Sequence, residues 1–134
     1  MNIRNFDDLL KAARQQPDAQ RLLLVFAAAT LPEDSTPEQR ARFEAGEGGE
    51  LSPIMYVDKT PQELSSFASL VEESRQFAQP WALVFVAGMS GQGTRAPTSE
   101  EAQKPLEGMV QAIKEGRIGH FIPFDLQGQA VSLQ

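Results

Sequence analysis

The sequence predicts a single α/β (or α+β) domain with a mixed sheet of four to five strands, in the order α-β-α-β-α-β-α-β-β. Three observations support this prediction. Apolar runs of strand length alternate with segments whose apolar residues recur every three or four positions. Capping residues stand before those segments, and proline or glycine ends them. The length of 134 residues is close to the commonest size of one domain.

The N-terminal third predicts one helix and one strand. Asn5 is the expected N-cap of the helix, with Asp7 and Asp8 in the first turn, where the helix dipole favours negative charge. Apolar residues then recur at helical spacing as far as Gln16. Residues 22–29 follow as an apolar run without polar alternation, which predicts an interior strand covered on both faces.

The middle third predicts two capped helices with a strand between them. Thr36 and Gln39 form a capping-box pattern, in which the threonine caps the helix and the later side chain reaches back to it. Thr60 and Glu63 repeat this pattern and predict a third helix. Residues 52–58 lie between the two helices and predict the second strand.

The C-terminal third predicts two further strands around a fourth helix. Residues 81–87 form an apolar run that predicts the third strand, and Thr98 is the expected cap of the helix after it. Pro105 interrupts the helical pattern, so either the long helix begins beside it or one helix bends there. Residues 118–124 predict the fourth strand.

The alternation of strands and helices also predicts how the sheet is built. Helices that connect strands produce parallel pairs wherever a helix crosses over the sheet. We expect residues 22–29 and 81–87 to be the central strands. Pro123 cannot donate a backbone hydrogen bond, which predicts an edge or the end of pairing. Residues 129–133 can return as a short antiparallel strand.

The composition argues against several classes of protein. The net charge of −6 and pI near 4.8 disfavour nucleic-acid binding, which needs Lys and Arg side chains against the phosphates. Residues 31–80 carry four basic and ten acidic side chains, including an acidic loop at 44–50. The N terminus lacks the apolar run of a secretory signal, and the longest apolar run is too short to cross a membrane. The expected location is the cytoplasm.

Reactive side chains are few. The chain has no cysteine, so disulfides, thiolate nucleophiles and iron–sulfur clusters are excluded. Its one histidine, His120, alternates with apolar residues in the predicted fourth strand and is expected to be structural. We therefore expect no catalytic residues, no metal site and no cofactor.

A glycine-rich loop at 88–95 resembles a ligand site. Residues 91–96, GQGTRA, fit the dinucleotide-binding pattern G-x-G-x-x-A, in which glycines let backbone N–H groups approach a phosphate. Against this, Pro97 stands where the helix of that pattern should begin. A phosphate-binding loop that begins at Gly88 needs lysine where Thr94 stands. The alternative is a surface loop whose glycines serve its turns.

Asp58, at the end of the second predicted strand, is the other candidate. If the second and third strands are parallel neighbours, Asp58 and the loop share the carboxyl edge of the sheet, where α/β proteins bind ligands. The alternative is that Asp58 begins the turn before the third helix. The candidate ligand-binding residues are therefore Ser90, Gly91, Gly93, Thr94, Arg95 and Asp58.

Four segments carry a resemblance to a known family. They are NFDDLL at 5–10, RFEAGEGG at 42–49, VDKTP at 57–61 and FVAGMSG at 85–91. With these segments nearly the whole chain resembles a set of small proteobacterial proteins of unknown function, some of which carry the automatic name ribonucleotide reductase subunit alpha. That name implies a thiyl radical and a pair of reducing cysteines, which a chain without cysteine cannot supply. The resemblance implies no established site.

The function expected from these observations is that of a non-enzymatic cytoplasmic binding or regulatory module, which acts through protein contacts. Its basis is an ordinary core, exposed acidic loops and the lack of a coherent set of nucleophile, base and oxyanion donors. The alternative is a binder of a nucleotide or phosphorylated metabolite, with Arg95 as the contact for the anion. A structural homo-oligomer is a third possibility, and the sequence leaves the oligomeric state open.

Overall fold

A computed structural model describes residues 3–30, 34–44, 50–76 and 80–131. Within these ranges the α/β class and the alternation of helices with strands are as the sequence predicts. Residues 45–49, which form most of the acidic loop, lie outside the described residues. The elements are α1 (Phe6–Arg14), β1 (Gln20–Thr30), α2 (Pro37–Glu44), β2 (Glu50–Lys59), α3 (Phe67–Ser74), β3 (Leu83–Ser90), α4 (Ser99–Lys114) and β4 (Ile122–Phe124).

The four strands form one sheet in the order β2-β1-β3-β4. The prediction that residues 22–29 and 81–87 supply the central strands is confirmed, since β1 and β3 occupy the middle. The expected parallel pairs are wrong, because all three described pairs are antiparallel. β2 and β3 do run in the same direction, but β1 lies between them and pairs antiparallel with both.

Two strands differ in length from the prediction. β3 continues past its predicted end to Ser90, because its pairing with β1 extends to the pair of Ser90 with Gln20. β4 has only 3 residues. Residues 118–121 turn instead of pairing, with a 3.2 Å hydrogen bond from the N–H of Phe121 to the carbonyl oxygen of Ile118.

The predicted return strand at 129–133 is present only in part. Ala130 forms an isolated bridge with Phe124, and the N–H of Val131 donates to the carbonyl oxygen of Pro123 at 3.0 Å. Residues 132–134 lie outside the described residues. Pro123 accepts but does not donate in this pairing, as its ring requires.

Most predicted helix starts are correct. The side chain of Asn5 caps α1 by accepting a 2.9 Å hydrogen bond from the N–H of Asp8. Thr36 forms the predicted capping box before α2, and Thr98, the predicted N-cap of α4, also forms a capping box. These local side-chain contacts satisfy N–H groups that have no partner within the helix, which is why the sequence alone locates them.

The predicted start of the third helix is wrong. Thr60 and Glu63 do form their capping box, and the backbone N–H of Thr60 lies 2.8 Å from the Glu63 carboxylate. That box closes only a turn, and α3 begins later, at Phe67, with Ser66 as its N-cap. Serine is also a strong N-cap, so two consecutive caps compete for one helix.

α4 is a single helix that contains Pro105 in its interior. The first alternative for this segment, a helix that begins beside Pro105, is therefore wrong. The helix is 16 residues long and has Glu100 and Glu101 in its first turn and Lys114 in its last. Across the described parts of the chain, no helix is long and apolar enough to cross a membrane.

The sheet carries an apolar core on each face. α1 and α3 cover one face, and α4 covers the other. Successive strand residues point to opposite faces, so the lack of polar alternation in β1 reflects burial on both sides. The first core contains Phe6, Leu9, Leu10, Leu22, Leu24, Phe26, Leu64, Leu70, Trp81, Val84, Val86 and Phe124, and the second contains Leu23, Val25, Ala27, Phe85, Ala102, Leu106, Met109 and Ile113.

Candidate functional site

The glycine-rich loop is shorter than predicted, because its first residues belong to β3. What remains is a tight turn in which Gln92 and Arg95 exchange two backbone hydrogen bonds of 2.9 Å. Gly93 occupies the first central position of the turn with φ +57°, a conformation that favours glycine. Thr94 completes the turn, and its side chain is exposed.

The backbone N–H groups of both glycines at this turn are bonded within the protein. The N–H of Gly91 donates to the carbonyl oxygen of Ala19 at 2.8 Å, and that of Gly93 donates to the carboxylate of Asp18 at 2.8 Å. The carbonyl oxygen of Gly93 in turn accepts from the N–H of Ala19 at 2.7 Å. The N–H groups of Gly91 and Gly93 are the donors that a bound phosphate would need. The turn is therefore attached to the segment before β1, and its glycine amides are already occupied.

A cleft of about 270 Å³, the loop cleft, lies beside the turn and is lined by residues 89–92, 95–97 and Glu101. Arg95 is exposed in its wall and is the cation available to an anionic ligand. Glu101 opposes that role, because a hydrogen bond from the Thr98 backbone keeps its pKa below the usual value and hence keeps it ionised. The cleft thus presents both signs of charge.

Asp58 lies at the same end of the sheet as the turn, as the sequence predicts, although β2 and β3 are not neighbours. In the register of the sheet, Lys59 of β2 and Gly88 of β3 both pair with Leu22 of β1. Asp58 does not line the loop cleft. The structure therefore brings Ser90, Gly91 and Arg95 together and holds Asp58 apart from them.

Asp58 is instead held by an ion pair. Its Oδ2 lies 2.6 Å from Nη1 of Arg21 and accepts a 2.6 Å hydrogen bond from the hydroxyl of Ser99. Nε of Arg21 also donates to the carbonyl oxygen of Pro97. The two charged side chains are only 14% and 19% exposed. This cluster, which we call the Arg21 clasp, joins β1, β2 and the start of α4, and it gives Asp58 a structural role.

The second half of β3 lacks a neighbouring strand on one side among the described residues. β3 pairs with β1 along its whole length, whereas β4 covers only residues 84–86. We call residues 87–90 the open edge. Gly88 and Ser90 in this edge are exposed.

Alternating hydrogen bonding shows which backbone groups face the open edge. The N–H of Gly91 donates to Ala19, in the line of β1, so the odd-numbered residues of β3 bond to β1. The backbone groups of the even-numbered residues point to the other side of β3, which β4 covers at residues 84–86. The N–H and C=O groups of Gly88 and Ser90 therefore point into the open edge.

A second cleft, of about 330 Å³, adjoins the open edge and lies beneath α1. Ala87 and Gly88 form part of its wall, and apolar side chains from α1, β1, β3 and β4 form most of the rest. Among the residues that the structure describes, no carboxylate lines this α1 cleft. His120 is at its rim, exposed in the turn before β4, and the prediction that it lies in the strand is wrong.

The sequence interpretation missed Arg21 and the open edge. Arg21 stands at the head of the longest apolar run and Asp58 ends another predicted strand, but the sequence does not show that these two strands are neighbours. Pro123 did predict the end of pairing near β4. In residues 3–30, 34–44, 50–76 and 80–131, no three acidic or histidine side chains are grouped so that they could hold a metal ion.

No protein-family profile, curated protein or solved structure matches this chain. The resemblance to a small proteobacterial family stays a prediction. A function therefore has to be inferred from the two clefts, the Arg21 clasp and the open edge.

Proposed function

We propose that this protein is a non-enzymatic cytoplasmic binding module, which takes an extended peptide segment of a partner protein as an added strand along the open edge. The observation that supports it is the orientation of Gly88 and Ser90, whose backbone groups face outward from an otherwise paired strand. Unpaired N–H and C=O groups at the edge of a sheet are a template for another strand.

The open edge has the dimensions of a short strand. Gly88 and Ser90 present two donors and two acceptors, which matches the antiparallel pattern in which a residue exchanges both hydrogen bonds with its partner. The four residues 87–90 span roughly 13 Å at the usual rise of a strand. A peptide laid there would continue the line of β4 and extend the sheet.

The adjoining α1 cleft supplies what a backbone contact alone lacks, namely selection among side chains. Side chains opposite one another in a sheet lie on the same face. A residue opposite Gly88 therefore directs its side chain to the face of the sheet that α1 covers, the α1 face. Gly88 has no side chain to occupy this space, and the cleft there is lined by Leu9, Leu22 and Ile122. Burying an apolar side chain there adds affinity to the backbone hydrogen bonds.

The loop cleft supports a second candidate function, the binding of a nucleotide or a phosphorylated metabolite. Ser90 and Arg95 line it, and Arg95 is exposed to an incoming anion. The amides of Gly91 and Gly93 are already bonded, and the carboxylate of Glu101 stands in the same wall. For this reason the open edge is the better-supported site.

The test is a binding assay with a library of randomised octapeptides on wild-type protein and on Gly88→Val. The library should yield peptides with alternating apolar residues, and Gly88→Val should weaken their binding by about tenfold or more, because its side chain fills the α1 cleft. The new Cβ would lie 3.5 Å from Gln20 Oε1 and 3.9 Å from Leu22 Cδ2, which are ordinary contacts, and circular dichroism checks that the variant is folded.

Gly108→Val is the matched control, because nothing lies within 4 Å of a Cβ at Gly108 on the exposed face of α4. It should bind the same peptides as the wild type. Failure of the library to yield any binder, or equal binding by Gly88→Val, would overturn the proposal. A wild-type dimer that Gly88→Val converts to a monomer would assign the open edge to a second copy of this chain.

A further inference from the structure

We infer that the open edge is specific for the free C-terminal end of a polypeptide, with an apolar last residue in the α1 cleft and its carboxylate beside His120. This inference rests on the proposed function. It adds the class of partner, which is an unstructured C-terminal tail and not an internal segment.

The direction of the added strand leads to this conclusion. All three described pairs of the sheet are antiparallel, and the outward groups of Gly88 and Ser90 suit another antiparallel pair. A strand antiparallel to β3 runs in the same direction as β4. Its C-terminal end therefore arrives at the beginning of β4, and the protein's own chain already occupies the line beyond.

The turn at 118–121 blocks an added strand from continuing past the position opposite Gly88. Ile122 pairs with Val86, so the residue of an added strand that lies opposite Gly88 stands two positions before Ile122 in the same line. An internal segment would have to leave the sheet sharply at this point. A peptide that ends opposite Gly88 needs no such turn, and its last side chain lies on the α1 face.

The described lining of the α1 cleft lacks the negative charge that elsewhere on this acidic chain would repel an anion. The chain carries a net charge of −6, yet none of the described lining residues is a carboxylate, and the one ionisable residue among them is His120. Of its two glutamine neighbours, Gln20 uses both side-chain N–H groups, on Asp18 and Ser90, and Gln16 uses one, on Ala12. The imidazole of His120 is exposed and offers a ring N–H to a terminal carboxylate.

The experiment compares acetylated octapeptides of alternating threonine and valine that end in valine, made with a free carboxylate or with a C-terminal amide. On wild-type protein the carboxylate form should bind about tenfold more tightly, as expected for a hydrogen bond to a charged group. In His120→Ala this preference should fall to about twofold, because the variant lacks the side-chain N–H that donates to the carboxylate. Binding is read as the dissociation constant and as the chemical shifts of Gly88, Ser90 and His120.

The outcomes separate this inference from the proposed function. Equal binding of both forms to wild-type protein, with loss of both in Gly88→Val, would overturn the C-terminal specificity and leave the strand addition standing. A preference for the carboxylate that persists unchanged in His120→Ala would remove His120 from the site. No binding of either form, with unchanged shifts at Gly88 and Ser90, would overturn both proposals.

Discussion

Replacing Arg21 with alanine is expected to lower the free energy of unfolding by about 3 kcal/mol, because it leaves the largely buried carboxylate of Asp58 without its cation. The change also removes the hydrogen bond from Arg21 to the carbonyl oxygen of Pro97, which holds the entry to α4. Chemical denaturation monitored by circular dichroism measures the difference.

Arg117→Ala is the matched control, since it breaks an ion pair of the same kind on the surface. The side chains of Arg117 and Glu115 are 66% and 45% exposed, so this change should cost less than about 1 kcal/mol. The double variant Arg21→Leu with Asp58→Leu should recover most of the loss, because it leaves no charge buried. Equal effects of Arg21→Ala and Arg117→Ala would contradict the account of the Arg21 clasp.

Replacing Gly91 with alanine should be about as damaging, with a loss of about 3 kcal/mol from overpacking and from broken turn hydrogen bonds. A Cβ at this position would lie 1.9 Å from the carbonyl oxygen of Arg95, which is a backbone atom and cannot rotate away. The turn has to open, and the paired hydrogen bonds between Gln92 and Arg95 break with it.

Gly93→Ala is the control for this change. A Cβ at Gly93 meets nothing within 4 Å, and only the positive φ of +57° opposes it. That strain costs about 1 kcal/mol. If Gly91→Ala were as mild as Gly93→Ala in the same denaturation assay, the close approach of Gly91 to Arg95 would be disproved.

Gly91 and Gly93 show why more of the fold than of the candidate site could be predicted from the sequence. The caps at Asn5 and Thr98 are contacts within one turn of helix, so the sequence locates them. The glycines of the turn fit two explanations, a phosphate cradle and a tight turn. The choice depends on the bonds of Gly91 to Ala19 and of Gly93 to Asp18, which cross about 75 residues of chain and leave no local pattern.

The order and pairing of the strands could not be predicted from the sequence for a related reason. Alternating strands and helices predict crossovers, but they do not fix which strands become neighbours. Asp58 was placed at the correct end of the sheet because β2 and β3 do run in the same direction, although β1 separates them. Its partner Arg21 was not recognised, because the antiparallel pairing of β1 with β2 brings them together.

The open edge depends on a still smaller detail. Residues 118–124 have the composition of a longer strand, and a full-length strand would have covered Gly88 and Ser90. The turn at 118–121 instead shortens β4 to 3 residues. The edge is therefore the product of a local turn and of the longer pairing of β3 with β1.

Amide hydrogen exchange at residues 87–90, measured for each residue by NMR, tests the open edge most directly. Ala87 and Met89 donate into the sheet toward β1, whereas Gly88 and Ser90 face outward, so the first two should exchange about a hundredfold more slowly. Addition of the carboxylate octapeptide should slow Gly88 and Ser90 and leave the other two unchanged. Equal protection of all four amides in the free protein would show that the edge is already covered, and the proposed function would then be wrong.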